Sequence, residues 1–216
     1  MKMELWGGLE CTINRVGGQF YNQLEKNGHL HNDRDLELFA ELGFKTLRYP
    51  MLWEQVAPLE DFAKTDWKWA RRQLEKLRKL DIRPFVGLLH HGSGPVHTHL
   101  LAPEFPAKFA AYAQAFAQRF PFVDAYTPVN EPLTTARFSG LYGLWYPHGQ
   151  SDATFVHALL NQCRATVLAM QAIRRVNSKA LLVQTEDLGK THSTPLLAYQ
   201  AKFENQRRWL GYDLLC

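Results

Sequence analysis

The chain has 216 residues, which is the length of one domain or of part of one larger domain. Hydrophobic residues make up 46% of the sequence and charged residues 21%, so the chain can bury a core and does not have the composition of a disordered protein. The net charge is only +4, and apolar or acidic residues interrupt the densest basic stretch, residues 71–79. That pattern predicts the solvent-facing side of an amphipathic helix, so we expect no nucleic-acid partner.

No segment has the pattern of a membrane or secretory protein. No apolar run approaches the ~18 residues that a membrane span needs, and residues 1–6 lack the apolar core of a signal peptide. The three cysteines, Cys11, Cys163 and Cys216, are too few and too scattered for a disulfide framework. We therefore expect a cytoplasmic protein without a membrane partner.

Strand-like and helix-like segments alternate along the chain. The predicted strands lie within residues 4–10, 42–49, 81–90, 122–130 and 178–186. Residues that commonly cap helix N-termini precede three of the helices between them, namely Asn32 or Asp33, Thr65 and Ser151. The remaining helix carries an aromatic stripe at helical spacing, which predicts a face packed on a sheet: Phe105, Phe109, Tyr112, Phe116 and Phe120. Alternation of this kind is typical of a parallel α/β sheet.

Polar residues stand where each predicted strand ends. They are Glu10 and Asn14, Arg48 and Glu54, His90 and His91, Asn130 and Glu131, and Glu186 and Asp187. The first loop, residues 9–18, lacks the Gly-rich phosphate loop of a doubly wound sheet. Active sites of (β/α)8 barrels are built from the C-terminal ends of the strands. We therefore predict an α/β fold of the (β/α)8 TIM-barrel type, of which about five βα units are present as a partial barrel.

Several segments together carry a family resemblance. The segment Thr127-Pro128-Val129-Asn130-Glu131-Pro132, taken with residues 140–149, resembles the family 1 glycoside hydrolases, which are β-glucosidase-like enzymes. Residues 6–14 look like the first strand of that family, residues 48–53 like its second strand, and residues 89–91 fall where the family has Tyr-His-Trp. The resemblance covers residues 1–216 as the N-terminal portion of the barrel.

The resemblance implies retaining hydrolysis of O-glycosidic bonds. Glu131 corresponds to the general acid/base of the family, and Asn130 would bind the sugar 2-hydroxyl. Arg48 would orient the attacking carboxylate and support it electrostatically. The substrate would be a carbohydrate, and the reaction needs no cofactor.

The resemblance also assigns three residues to the sugar pocket. His90 and Asn14 would bond other hydroxyls of the same sugar, and Trp53 would help to wall the pocket. Asn14 stands where the family has Gln. The loop of residues 90–95 departs from the family, because it lacks the expected Trp-Asp-Leu-Pro.

The attacking carboxylate of the family lies on the seventh strand, beyond residue 216. We therefore expect the isolated chain to be inactive or weakly active, and we expect its partner to be either another copy or the missing C-terminal half of the barrel. The opening and the second strand also resemble a branch in which such a barrel precedes a dTDP-4-dehydrorhamnose reductase-type domain. The alternative function is therefore a non-catalytic sugar-binding or scaffolding module associated with that sugar-nucleotide reductase.

The same residues also allow structural interpretations. Arg48 could form a structural ion pair, since an arginine inside a barrel needs an anionic partner. Trp53 could belong to the core. Three of the acidic residues at the strand ends could simply face solvent: Glu54, Glu186 and Asp187. A histidine cluster could suggest a metal site, made of His90, His91, His97 and His99, but no Cys or carboxylate joins it nearby and we expect no metal.

Overall fold

The computed structural model describes residues 4–216 and contains one parallel sheet and one hairpin. In chain order the strands are β1 (Trp6–Gly8), β2 (Ile13–Val16), β3 (Gln19–Asn22), β4 (Thr46–Pro50), β5 (Arg83–His90), β6 (Ala125–Asn130) and β7 (Leu181–Leu182). The sheet has the order β1-β4-β5-β6-β7 with every pair parallel, and β2 and β3 form a separate antiparallel hairpin. Residues 1–3, part of the segment predicted not to be a signal peptide, lie outside the described residues.

Nine α-helices are present in residues 4–216. They are α1 (Gln23–Lys26), α2 (Arg34–Glu41), α3 (Trp53–Val56), α4 (Lys68–Lys79), α5 (Phe105–Arg119), α6 (Pro132–Ala136), α7 (Asp152–Val176), α8 (Ala198–Arg207) and α9 (Leu210–Leu215). Single turns of 3₁₀-helix lie at His29–His31, Phe62–Lys64 and Pro195–Leu197, and a π-helical turn spans Arg137–Leu141. None of the helices described is both long and apolar enough to cross a membrane.

The predicted helix starts can be compared with the structure one by one. Ser151 caps α7 in a full capping box with Thr154, as predicted. Helix α2 begins directly after Asp33. The prediction for Thr65 is wrong: α4 begins at Lys68, and the Asp66 carboxylate accepts its backbone N–H at 3.0 Å. An Asp closer to the first turn replaces the Thr because it reaches an unpaired helix N–H.

The core lies between the sheet and the helices that follow its strands. The aromatic stripe of α5 is fully buried, as predicted, and no member is more than 1% exposed. Helix α7 packs along α5 and adds Leu159, Met170 and Ile173 to the same core. Packing on this side of the sheet leaves the C-terminal strand ends side by side, where His90 of β5 is in register with Asn130 of β6.

The fifth strand of the sheet is shorter than predicted. Regular pairing is limited to Leu181 and Leu182, although the segment of residues 178–186 was expected to form a strand. Backbone contact with β6 nevertheless continues, since Val183 donates to the Tyr126 carbonyl at 2.8 Å and Glu131 donates to the Thr185 carbonyl at 3.2 Å. The segment therefore follows β6 to its C-terminal end.

Both outer strands of the sheet have only one neighbour among residues 4–216. Leu181 on β7 is 50% exposed, and Trp6 on β1 is 44% exposed. Beyond β7, Leu196 before α8 is 84% exposed. Strand edges and apolar patches of this kind favour association with another chain.

We expect the 216-residue chain to be oligomeric or aggregation-prone for this reason. Light scattering after size-exclusion chromatography should give a mass above that of one chain. Leu181→Lys, which places a charge on the open edge, should reduce association, whereas Leu159→Met in the core is a control that should leave it unchanged. A stable monomer of the unaltered chain would contradict this expectation.

Candidate active site

Asn130 lies at the centre of the polar side chains at the C-terminal end of the sheet. Its side chain is 2% exposed. Its Oδ1 accepts hydrogen bonds from Arg48 Nη1 at 3.0 Å and from Thr185 Oγ1 at 2.9 Å. Its Nδ2 lies 3.3 Å from His91 Nε2 and 3.5 Å from His90 Nε2. The ends of four strands therefore meet at one amide.

The Arg48 guanidinium is held at this end by an amide rather than by an acidic side chain of residues 4–216. The residue is half-buried, and Asn130 is its side-chain hydrogen-bond partner. No carboxylate of residues 4–216 forms an ion pair with it. A structural ion pair within these five strands is therefore not what holds Arg48. A half-buried cation in this setting favours the approach of an anion, because the surroundings screen charge less than water does.

The two histidines are neutral at physiological pH. Burial lowers the pKa of His90 to about 3, with further contributions from His91 and Arg48. Burial also lowers the pKa of His91 to about 4. The ring of His91 is fixed by Thr135 Oγ1, 2.9 Å from Nδ1. A neutral imidazole can both donate and accept a hydrogen bond, which suits a sugar hydroxyl.

Glu131 follows β6 and begins α6. Its backbone has φ +44°, in the left-handed region that non-glycine residues seldom adopt. Its N–H donates to Thr185 O, and its carbonyl accepts from Thr135 N at 3.0 Å. The side chain is 26% exposed, and Oε2 lies 3.8 Å from His91 Nε2. The strained turn, fixed at both backbone atoms, holds a solvent-accessible carboxyl beside the histidines and Asn130.

Glu186 is the second carboxyl at this end; the sequence placed it at the end of the fifth predicted strand but assigned it no role in the site. Its Oε1 accepts from Leu133 N at 3.0 Å, and its Oε2 is buried without a partner in the part of the chain described. Burial raises its pKa to about 7, and the nearby Glu131 adds to the rise while Leu133 opposes it. Its neighbour Asp187 is exposed.

Glu54 is a third enclosed carboxyl. Its Oε1 accepts from Gly94 N at 2.9 Å, and its Oε2 is buried without a partner among residues 4–216. Gly92 lies so close over this carboxylate that any side chain there would overlap it. Burial raises the Glu54 pKa to about 7. The alternative interpretation, that Glu54 and Glu186 simply face solvent, does not fit the structure, because Gly92 closes over Glu54 and Gly211 at the start of α9 closes over Glu186.

Asn14 and Trp53 lie apart from the Asn130 contacts. Asn14 belongs to β2 of the hairpin rather than to the first strand of the sheet, and its Oδ1 is buried without a partner in the described range. Trp53 is 0% exposed and packs against the rings of Phe109 and Tyr112, at 5.8 and 6.0 Å between centroids. The core role that the sequence also allowed for Trp53 fits this packing.

An aromatic wall borders the same end, and sequence reasoning did not predict it. Trp145 lies 5.2 Å from the His91 ring and stacks on Phe138 at 4.5 Å. The next residue, Tyr146, lies under the Arg15 guanidinium at 3.9 Å, which ties this loop to the hairpin. An aromatic ring beside a polar cluster suits the apolar face of a sugar ring. The Gly-Leu-Trp-Tyr-Pro run of residues 143–147 was the sequence feature from which this wall could have been predicted.

The remaining histidines do not assemble a metal centre. Within residues 4–216, no group of three or more His, Cys, Asp or Glu side chains is arranged to hold a metal ion. His97 packs against Trp53 at 5.7 Å, and both of its ring nitrogens are buried without partners in that range. Burial lowers the pKa of His97 and of His99.

Comparison with known proteins identifies the family. The model of glycosyl hydrolase family 1 matches residues 8–202, which is most of the chain. The chain belongs to glycosyl hydrolase family 1. No protein with a curated description matches it.

Solved structures show what fold this family 1 chain has. The AHE enzyme from Alicyclobacillus herbarius is similar with a TM-score of 0.72 and 24% identity over 83% of this chain and 43% of that one. The family 1 β-glucosidase from Thermotoga maritima gives a TM-score of 0.74 and 22% identity over 83% and 42%. The same enzyme in complex with noeuromycin gives 0.75 and 22% over 83% and 43%. The chain thus spans less than half the length of these proteins and matches a partial TIM barrel, which confirms the predicted family and fold class.

Proposed function

We propose that residues 1–216 form the N-terminal portion of a family 1 barrel that hydrolyses O-glycosidic bonds of carbohydrates with retention, with Glu131 as the general acid/base. The observation that supports this most is the arrangement around Asn130, where a half-buried cation, two neutral imidazoles and the Glu131 carboxyl come together. Family membership supports the reaction class. The complexes of the Thermotoga maritima β-glucosidase with deoxynojirimycin and noeuromycin support a carbohydrate ligand.

The proposed reaction has two steps: Glu131 gives up a proton in the first and takes one from water in the second. In the first, the protonated Glu131 gives its proton to the leaving oxygen while a second carboxylate attacks the anomeric carbon and the glycosidic C–O bond breaks. In the second, ionised Glu131 takes a proton from water, and the hydroxide oxygen displaces the enzyme carboxylate. Asn130 binds the sugar 2-hydroxyl. His90 and Asn14 complete the pocket in the proposed barrel, and Trp53 packs in the core beneath it.

The charge of Arg48 supports the proposal that a later strand supplies a second carboxylate to this site. Among residues 4–216 the side chain of Arg48 hydrogen-bonds to the Asn130 amide alone, so its other N–H donors can bind an anion from a later strand. In the family that anion is the attacking carboxylate, which Arg48 would orient and stabilise. We propose that the later βα units supply it, and that no cofactor or metal takes part.

The test compares the isolated chain with a completed barrel, meaning residues 1–216 joined to the later βα units of a family 1 enzyme. With aryl glycosides, the isolated chain should turn over poorly or not at all, because removing the attacking carboxylate abolishes the covalent route. The completed barrel should show hydrolysis. A turnover number of ~1–1000 per second for the isolated chain would instead place the nucleophile within it, at Glu54, Glu186 or Asp187.

The alternative proposal is a non-catalytic sugar-binding or scaffolding module associated with a dTDP-4-dehydrorhamnose reductase-type enzyme. The exposed apolar residues around α8, among them Leu196 and Tyr199, favour it because a partner polypeptide would cover them. A completed barrel that binds sugar without hydrolysing it would support this alternative. In either case we propose a cytoplasmic location.

A further inference from the structure

The end of the fifth strand fastens the Glu131 turn at two points. Thr185 O accepts the Glu131 N–H at 3.2 Å, and Glu186 Oε1 accepts the Leu133 N–H at 3.0 Å. Pro132 between them has no N–H to donate. Among the described residues, the hydrogen bonds from this strand end to the turn are therefore one to a backbone carbonyl and one to a carboxylate. The carbonyl cannot change its charge, but the carboxylate can.

The surroundings of Glu186 make that charge sensitive to pH. Its Oε2 has no exposed surface and no partner among the described residues, so the carboxylate is poorly solvated on one side. Burial raises its pKa to about 7. Charged and titratable groups face it from its own segment, from α6 and the turn that follows, from α7 and from α9: Asp187, Glu131, Arg137, Cys163 and Tyr212.

We propose that Glu186 is a positioning residue for Glu131. The ionised Glu186 carboxylate holds the turn 131–133 through the Leu133 N–H, and its protonation weakens that bond and loosens the turn. A hydrogen bond to an ionised acceptor is about twice as strong as one between neutral groups. The placing of the Glu131 carboxyl thereby depends on the charge of Glu186. The proposal rests on the proposed function only for the use that Glu131 makes of its position.

Hydrogen exchange of the isolated chain tests this without any activity. Exchange is followed by mass spectrometry at the resolution of the single Leu133 amide, which can be done even if the chain is oligomeric. Correction for the intrinsic pH dependence of exchange then gives a protection factor for Leu133 at each pH. Protection of Leu133 should rise about tenfold between pH 6 and pH 8.5, which follows from the strength of a bond to an ionised acceptor. In Glu186→Gln, which keeps an acceptor oxygen, the protection should no longer change with pH.

Two further variants make the result decisive. Asp187→Asn removes an exposed carboxyl whose charge helps to raise the pKa of Glu186, so the Leu133 response should remain but move to lower pH. Glu186→Asp keeps the charge but shortens the reach, so Leu133 should be poorly protected at every pH while α5 and α7 stay protected. A Leu133 amide whose protection is independent of pH in the unaltered chain overturns the proposal, as does an unchanged response in Glu186→Gln.

The outcome is separate from that of the proposed function. Absence of hydrolysis by the completed barrel, with the Leu133 response present, rejects the glycosidase and keeps the positioning role. If the completed barrel does hydrolyse glycosides, Glu186→Gln should change the pH profile of kcat more than it changes KM. A uniform loss at every pH would indicate a structural role alone and would overturn the dependence on charge.

Discussion

In a completed barrel, Glu131→Ala should slow the hydrolysis of substrates with poor leaving groups by roughly 100- to 10,000-fold, which is the usual contribution of a positioned acid. Such substrates need a proton on the departing oxygen. An activated aryl leaving group departs without that help, so its first step should be affected much less. The measurement is kcat/KM for a series of glycosides that differ only in leaving-group pKa.

The second step gives an independent signature of Glu131. Water needs a base before it can displace the enzyme carboxylate, so the glycosyl-enzyme should accumulate in Glu131→Ala with an activated substrate. Azide needs no deprotonation and should restore turnover, leaving a glycosyl azide of retained configuration. Glu25→Ala removes an exposed carboxyl on α1 that has no role in the proposed site and is the control. Equal losses for both leaving-group classes, without an azide effect, would mean that Glu131 is not the acid/base.

The sheet could be predicted because its signal is local. Each βα unit repeats a helix face, a turn and an apolar strand, and parallel strands joined by helices place all their C-terminal ends on one side. Arg48, His90 and Asn130 were therefore expected to meet, and the structure brings them within hydrogen-bond distance through Asn130. The fifth strand was overestimated, because the apolar run of residues 180–183 extends beyond the two residues that pair regularly with β6.

The enclosed carboxyls could not be predicted from the same signals. A Glu after a strand has the same local pattern whether water or another loop covers it. Glu54 is enclosed because Gly92 and Gly94, which lie 38 and 40 residues later in the sequence, fold across it. Glu186 is enclosed by a helix that begins at Leu210. The hairpin that carries Asn14 was missed as well, because residues 6–14 were matched to the first strand of the family and residues 9–18 were otherwise considered only as a loop.

Glu54→Gln should make the chain's stability less sensitive to pH. The pKa of Glu54 is raised from about 4.5 to about 7 by burial, so the folded state keeps a proton that the unfolded chain releases. Stability is therefore unaffected by this group below pH 4.5, falls as pH rises to about 7, and stays lowered above it. A displacement of that size corresponds to about 3 kcal/mol at most.

The informative quantity is how the difference between Glu54→Gln and the unaltered chain changes with pH. The amide places a new donor where Oε2 has no partner, which costs about 1–3 kcal/mol at every pH. His90 and His91, whose lowered pKa values make stability rise with pH up to about 6.5, are present in both proteins and cancel. The free energy of unfolding of Glu54→Gln, minus that of the unaltered chain, should therefore increase between pH 4.5 and pH 8 by up to about 3 kcal/mol.

Glu60→Gln supplies the control of opposite sign. Glu60 is fully exposed, and its hydrogen bond with Lys108 lowers its pKa, so the folded state releases this proton more readily than the unfolded chain does. Removing it should cost stability as pH rises towards 4.5 and should make no further difference from pH 4.5 to pH 8, whereas removing Glu54 should add stability in that upper range. Denaturant unfolding at pH 3.5, 4.5, 6 and 8 measures both. A Glu54→Gln difference that is flat across this range would show that water reaches the Glu54 carboxylate and that the loop of residues 92–94 does not seal it.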